Sequence, residues 1–245
     1  MNFNMYELLT AKDRKRRLDN VLKYLSNSVL PSENNRIKYN TIFYFVKLYA
    51  NKINFHLNED TINDKFKDGA EPNPLGDFYS DFKIKADVKE KFKVSLACDP
   101  VIADVWNKDR LVESLDEIGS PEAPWVQHKT NHMFRLFLPM GITEVFNGNH
   151  SANSGIIKGD GEIVFDTREE QSALNGEIYD MSHLYKDYYY DSYYFRSKAD
   201  KNFRMKGSFE SGCIFEIGRL IHKNNISFIS LLKFRDEAVE NYYQL

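Results

Sequence analysis

Apolar residues recur every three or four positions near the start of the chain and closer to every second position in its middle, and these rhythms divide the sequence. Leu18, Val21, Leu22, Leu25 and Val29 mark one face of a helix over residues 5–30 whose other face is charged. Pro31 and Ser32 end it. A second stripe, Ile42, Phe45, Val46 and Tyr49, predicts a helix over 37–53, so residues 1–56 read as an N-terminal helical hairpin. Residues 57–76 are polar and broken by Gly and Pro, and read as a linker or long surface loop. Together with a lead-in that fits helix or strand, they make a second segment, 57–96.

From residue 97 short strand-like runs take over. VIADVW is extended, and NKDRLVESLDEIG is helical, with Leu111, Leu115 and Ile118 on one face and Gly119-Ser120-Pro121 as its stop. MFRLFLPMG predicts a strand ending at Pro139, ITEVF another, HSANSGIIKG a short helix after an Asn-Gly turn, and GEIVFDT a last strand. That order describes an α+β core with a small mixed sheet over residues 97–170. Residues 171–245 read as a C-terminal α/β extension. EIYDMSHLY, YYYDSYYF and NFRMKGSF supply two or three strands, SGCIFEIGRLIHKNN a buried helix, and the remainder a final helix.

Composition narrows the function classes. At 245 residues the chain buries a full core without staples, and Cys98 and Cys213 have neither CxxC spacing nor a partner nearby in sequence. A reducing, cytoplasmic compartment is expected. The N-terminus carries charges where a secretion signal needs an apolar core, and no apolar run approaches membrane-spanning length, so no membrane partner is expected. A net charge of −3 provides no global field for a polyanion, so nucleic-acid binding would need a local basic patch. The one basic run, Lys12-Asp13-Arg14-Lys15-Arg16-Arg17, reads first as a solvated helix face and only second as a phosphate contact. Likewise YKDYYYDSYYF reads as sheet packing or a protein-contact surface ahead of base stacking, and Glu216 with Arg219 as an intrahelical lock ahead of a pocket pair.

The most chemical stretch is EVFNGNHSANSGI, residues 144–156. A strand that turns into a helix exposes first-turn N–H groups, which together with the helix dipole attract phosphate. Gly148 permits close approach, while Ser151, Ala152, Ser154 and Gly155 are small enough to admit a ligand or a packed neighbour. His150 is the candidate acid, base or phosphate donor, with Asn149 beside it and Asn147 available to orient a ribose or base. The bland alternative is an ordinary Asn-Gly turn with a capped helix. HKTNH, residues 128–132, would put His128 and His132 on one helix face as metal ligands with His150 as a third, but lacks the Glu of an HExxH helix. The preferred reading has no metal ligand set, and Asn131 and His132 instead add polar groups to the same pocket. Asp104, Asp109, Asp160 and Asp166 have no spacing that marks a catalytic dyad.

VIADVWNKDRLVESLDEIG followed by FLPMGITEVFNGNHSANSGIIKGDGEIVF resembles the ParB/sulfiredoxin superfamily over roughly residues 97–166. Gly148-Asn149-His150 and the helix after it are the specific part. Gly-Asn-His-Ser together with the later FEIGRLI also resembles an uncharacterised bacterial family. The superfamily resemblance implies that the turn binds nucleotide phosphates, with Gly148 and the N–H groups from His150 to Ala152 lining the site. It also implies phosphotransferase or nuclease chemistry, with Mg²⁺ accompanying a nucleoside triphosphate. Ser151 stands where the superfamily usually has Arg, so a bidentate phosphate grip is missing there, and Arg110, Arg135 or Lys158 would have to replace it. No cysteine occupies the turn, which argues against sulfiredoxin chemistry. The contrasting expectation is a noncatalytic protein-interaction factor on the same fold, such as a phage-related inhibitor or a defence-system component.

Overall fold

The computed structural model describes residues 5–32, 34–65, 73–168 and 176–243. Helix α1 (Met5–Tyr24) continues into a π-helical turn, Leu25–Val29, whose widened step buries both of its end residues. Helix α2 (Asn35–Ile62) is longer than its apolar stripe predicts. Ile42 and Val46 are fully buried, as expected, but the helix continues through residues 57–62, which their polarity assigns to a linker. The reason is that its polar side chains have partners. Asn54 donates from Nδ2 to the Val101 carbonyl (2.8 Å) and accepts from the Ala103 N–H (3.1 Å), while Thr61 donates to the Val105 carbonyl (2.8 Å). Residues 66–72 of the expected linker lie outside the described residues.

Those bonds close the edge of a five-stranded sheet. Its order is β1 (Ile84–Lys85), β7 (Gly176–Asp180), β4 (Met133–Leu138), β5 (Ile142–Asn147), β3 (Val101–Ala103). β3 pairs parallel with β5, β5 antiparallel with β4, β4 parallel with β7, and β7 antiparallel with β1. The small mixed sheet is as expected, but it draws strands from both sides of residues 97–170. β6 (Glu162–Asp166) lies outside it, paired with β2 (Lys91–Ser95). An exposed edge strand invites pairing with another chain, and the Asn54 amide occupies that position on β3.

The remaining helices are α3 (Asp77–Phe82), α4 (Lys108–Glu117), α5 (Asn149–Lys158), α6 (Phe209–Lys223) and α7 (Phe228–Tyr243). The C-terminal segment holds four described strands rather than two or three. β7 joins the main sheet, and β8 (Tyr188–Tyr190), β9 (Tyr194–Ser197) and β10 (Arg204–Lys206) form an antiparallel meander. The tyrosine tract is sheet packing. Glu216 accepts the Tyr190 N–H (2.8 Å), and Arg219 bonds Glu216 (2.7 Å) and the carbonyls of Tyr185 and Tyr188, so the pair is the expected lock. Beneath it Phe78 stacks on Phe195 at 4.0 Å and meets Phe215 edge-on, tying α3 and β9 to α6.

Candidate functional site

β3 and β5 run parallel, so their C-terminal ends emerge together, the position at which ligands bind in many open α/β sheets. Asn107 caps α4 by accepting the Arg110 N–H (3.0 Å). Gly148 takes the left-handed conformation, φ +79°, as β5 turns into α5, and no side chain caps that helix. A Cβ on Gly148 would sit 2.1 Å from His132 Cδ2, so the turn requires glycine both for its backbone angle and for the close approach.

Between α4 and the start of α5 lies a groove of about 350 Å³ lined by Trp106, Arg110, Asn131 and residues 147–151. Seven of the nine sequence-predicted site residues therefore meet: Arg110, Asn131, Asn147, Gly148, Asn149, His150 and Ser151. Two do not line it. Ala152 is fully buried and its N–H closes the helix ladder on the Gly148 carbonyl (3.1 Å), so it has no donor to offer a phosphate. His132 lies behind the turn, 2 % exposed and stacked on Trp125 at 4.9 Å. Of the suggested substitutes for the missing arginine, only Arg110 faces the groove. Arg135 lies in a neighbouring pocket beside Glu144 (3.5 Å), and Lys158 donates to the Ile118 carbonyl (2.6 Å).

The hydrogen bonds fix what these groups can do. Residues 128–132 form a turn, not a helix, closed by the His132 N–H on the His128 carbonyl (2.9 Å), which corrects the shared helix face. His132 Nδ1 accepts the His128 N–H (2.9 Å), so the neutral ring carries its proton on Nε2 and donates it to Ser151 Oγ (2.6 Å). Ser151 in turn donates to the Gly148 carbonyl (3.0 Å). This polarity is the reverse of a Ser-His nucleophile pair, in which the imidazole accepts from the hydroxyl. Burial, with His128 nearby, lowers the His132 pKa to about 4, so the ring stays neutral near pH 7.

His150 is similarly engaged. Its Nε2 accepts the Asn107 N–H (3.3 Å), its ring lies edge-on to Trp106 at 5.4 Å, and burial lowers its pKa, with the Arg110 guanidinium acting in the same direction. With Nε2 accepting, the neutral ring carries its proton on Nδ1, which suits a donor rather than a base. Asn149 Oδ1 accepts the Asp104 N–H (3.0 Å), stitching the end of β3 to α5. Glu113 and Glu117 of α4 complete the rim, and Arg110 lies over the Trp106 ring at 5.5 Å. Trp106, 40 % exposed, escaped the sequence reading because it ends an apolar run and looks like core. Among the described residues, no group of three or more His, Cys, Asp or Glu could hold a metal ion, and no helix is long and apolar enough to cross a membrane.

The fold and groove define an α+β protein with a glycine-turned helix start opening on a polar groove. The chain belongs to a family of unknown function, DUF6710, whose family model matches residues 4–228. Searches of the curated proteins and of the solved structures returned no match.

Proposed function

We propose that the chain binds a nucleoside triphosphate as its Mg²⁺ complex in the groove at the start of α5. The observation that carries this reading is the convergence of an uncapped helix N-terminus, turned by Gly148, with the Arg110 guanidinium in one cavity of about 350 Å³. Glu113 and Glu117 on the same rim would repel a bare polyphosphate. They suit Mg²⁺, which is commonly held by one or two carboxylates plus substrate phosphates. The order β3–α4 followed by β5–α5 supports the ParB/sulfiredoxin resemblance, with Arg110 replacing the guanidinium that Ser151 lacks. Because Ser151 and His150 Nε2 are already hydrogen-bonded, the reading is of binding, with His150 as a donor, in preference to phosphotransfer or nuclease turnover.

Thermal unfolding with ATP, CTP or GTP, each with Mg²⁺ or with EDTA, tests it. A ligand at one hundred times its Kd adds about 2.7 kcal/mol, roughly 5–10 °C in Tm for a chain of this size. In Mg²⁺ the shift should disappear in Arg110→Glu; no shift with any nucleotide sinks the proposal. A second reading, a noncatalytic protein-interaction factor, rests on another face. Tyr44, Leu48, Phe55 and Ile62 are all more than half exposed at spacings of 4, 7 and 7 along α2, one apolar stripe on a long helix. Leu48→Glu with Phe55→Glu would abolish biological activity without changing nucleotide binding if that reading holds.

A further inference from the structure

Away from that groove, α1, α2, the end of β10 and the start of α6 enclose a larger cleft of about 830 Å³. Arg14 and Arg17 enter it from α1, Lys52 from α2 and Lys206 from β10, against two carboxylates, Asp77 and Glu210. Three of the cations crowd a single ring: the Arg14 and Arg17 guanidinium carbons and Lys52 Nζ lie 5.3, 4.8 and 6.0 Å from the Phe209 centroid. An aromatic face attracts a cation, but one ring does not offset the mutual repulsion of three.

The two carboxylates offset half of this charge and leave a net excess of two cations. Glu210 neutralises Lys52 at 2.5 Å, whereas Asp13, the carboxylate nearest Arg17 at 3.8 Å, is held more closely by Arg16 at 2.6 Å. Asp77 accepts from the Asn73 amide (3.0 Å). Arg14 is fixed by a bond from its Nη2 to Tyr190 Oη (3.1 Å) and lies over the Tyr193 ring at 4.2 Å. Neither Arg14 nor Lys206 has a carboxylate within ion-pair distance among the described residues. An orientated guanidinium with no carboxylate, a second guanidinium one turn away and a free ammonium across the cavity make a receptor for several phosphate oxygens at once.

We propose that this cleft binds a compact ligand carrying two or more linked phosphates, at a site separate from the α5 groove. The cations converge from three secondary-structure elements round one cavity of small-molecule size instead of following a line, which favours a compact anion over a nucleic-acid strand. The two sites also differ in their metal requirement. The cleft meets phosphate with ammonium and guanidinium groups, so Mg²⁺ bound to the ligand competes with them.

Calorimetric titration of the full chain with inorganic tripolyphosphate, in low salt without Mg²⁺, tests the assignment. Wild type should bind, and Arg17→Glu with Lys206→Glu, both solvent-exposed positions, should weaken binding by about 30-fold or more while circular dichroism stays unchanged. Excess Mg²⁺ and 0.3 M salt should each weaken it, and Arg110→Glu should leave it intact. Absence of binding, or equal binding by the double variant, overturns the proposal. So does loss of binding in Arg110→Glu alone, which would place the anion in the α5 groove. Binding of a short single-stranded oligonucleotide without binding of tripolyphosphate overturns it in favour of a strand.

Discussion

At the start of α5 the side chains of Asn149, His150 and Ser151 are already bonded to the protein. His132 donates to Ser151, Ser151 to the Gly148 carbonyl, and the Asn149 and His150 side chains accept backbone N–H groups from the β3–α4 connection. In the α1–α6 cleft Arg14 and Arg17 lie over aromatic rings, and among the described residues Lys52 is the one cleft cation with a carboxylate closer than 3 Å. Asn149, His150 and Ser151 hold the fold first and face a ligand second, whereas of the cleft's cations Arg14 and Lys52 bond across the fold and Lys206 makes no such tie among the described residues. Side-chain type alone does not separate these roles. His150, the candidate acid or base in sequence, accepts the Asn107 N–H and braces the β3–α4 connection, and two arginines from a run that reads first as a solvated helix face line a cleft of about 830 Å³.

If the groove is structural first, the largest effect belongs to its turn. Gly148→Val places a β-branched residue at φ +79° with its Cβ against His132, and should cost about 3 kcal/mol or more in urea unfolding. Nucleotide binding should fail, while the folded fraction keeps its affinity for tripolyphosphate. Wild-type stability in this variant would break the contrast between the two sites.

The next effect is on pH. His132 has a folded-state pKa of about 4 against an ordinary 6.5, so between these values the unfolded chain binds the extra proton. Stability should therefore be intact above about pH 6.5 and fall as the pH drops towards 4, by about 2–3 kcal/mol in total. His150, also shifted down, adds in the same direction. Denaturant midpoints across pH 4–7 measure this, and His132→Phe should flatten the slope; an unchanged slope would mean that other groups carry it. A smaller loss, about 1–2 kcal/mol, is expected for Ser151→Ala, which leaves a buried imidazole N–H without its acceptor. Its nucleotide affinity should change less than about threefold, a free energy below roughly 0.7 kcal/mol.

The parts of the fold legible in sequence are those in which local pattern and tertiary environment agree. α4 has an Asn cap and an apolar face, and the β5–Gly148–α5 junction is marked by its Asn-Gly dipeptide. The end of α2 was illegible because Asn54, Asn58 and Thr61 look like loop residues until β3 and α5 supply their partners. Asn58 and Asn153, for example, exchange a pair of amide bonds at 2.9 and 3.1 Å across ninety-five positions. β7 was visible as a strand, but its place beside β4 was not, since no local signal reports a parallel neighbour about forty residues earlier. For the groove, spacing placed the 147–151 turn correctly, and hydrogen-bond direction, which sequence does not carry, decided what the turn can do. The cleft shows in sequence only as the basic run that holds Arg14 and Arg17, because its other cations come from positions 52 and 206.

The smallest effect tests the comparison by its sign. Lys206 is exposed, touches no ring within cation–π distance and has no ion pair among the described residues, yet it shares a cavity with three other cations. Neutralising it as Lys206→Gln should relieve repulsion and raise stability by about 0.3–0.5 kcal/mol at low ionic strength, near 1 °C in Tm. In 1 M salt, where the screening length is about 3 Å, the gain should vanish. Arg110→Gln in the groove should act oppositely, because there the cation shares the groove with Glu113 and Glu117 and its removal leaves two lining carboxylates with no lining Lys or Arg. Two charge-neutralising changes of the same size would thus move Tm in opposite directions and converge as salt is added. If both destabilise, the cleft is not holding uncompensated positive charge, and the ground for a phosphate ligand there is gone.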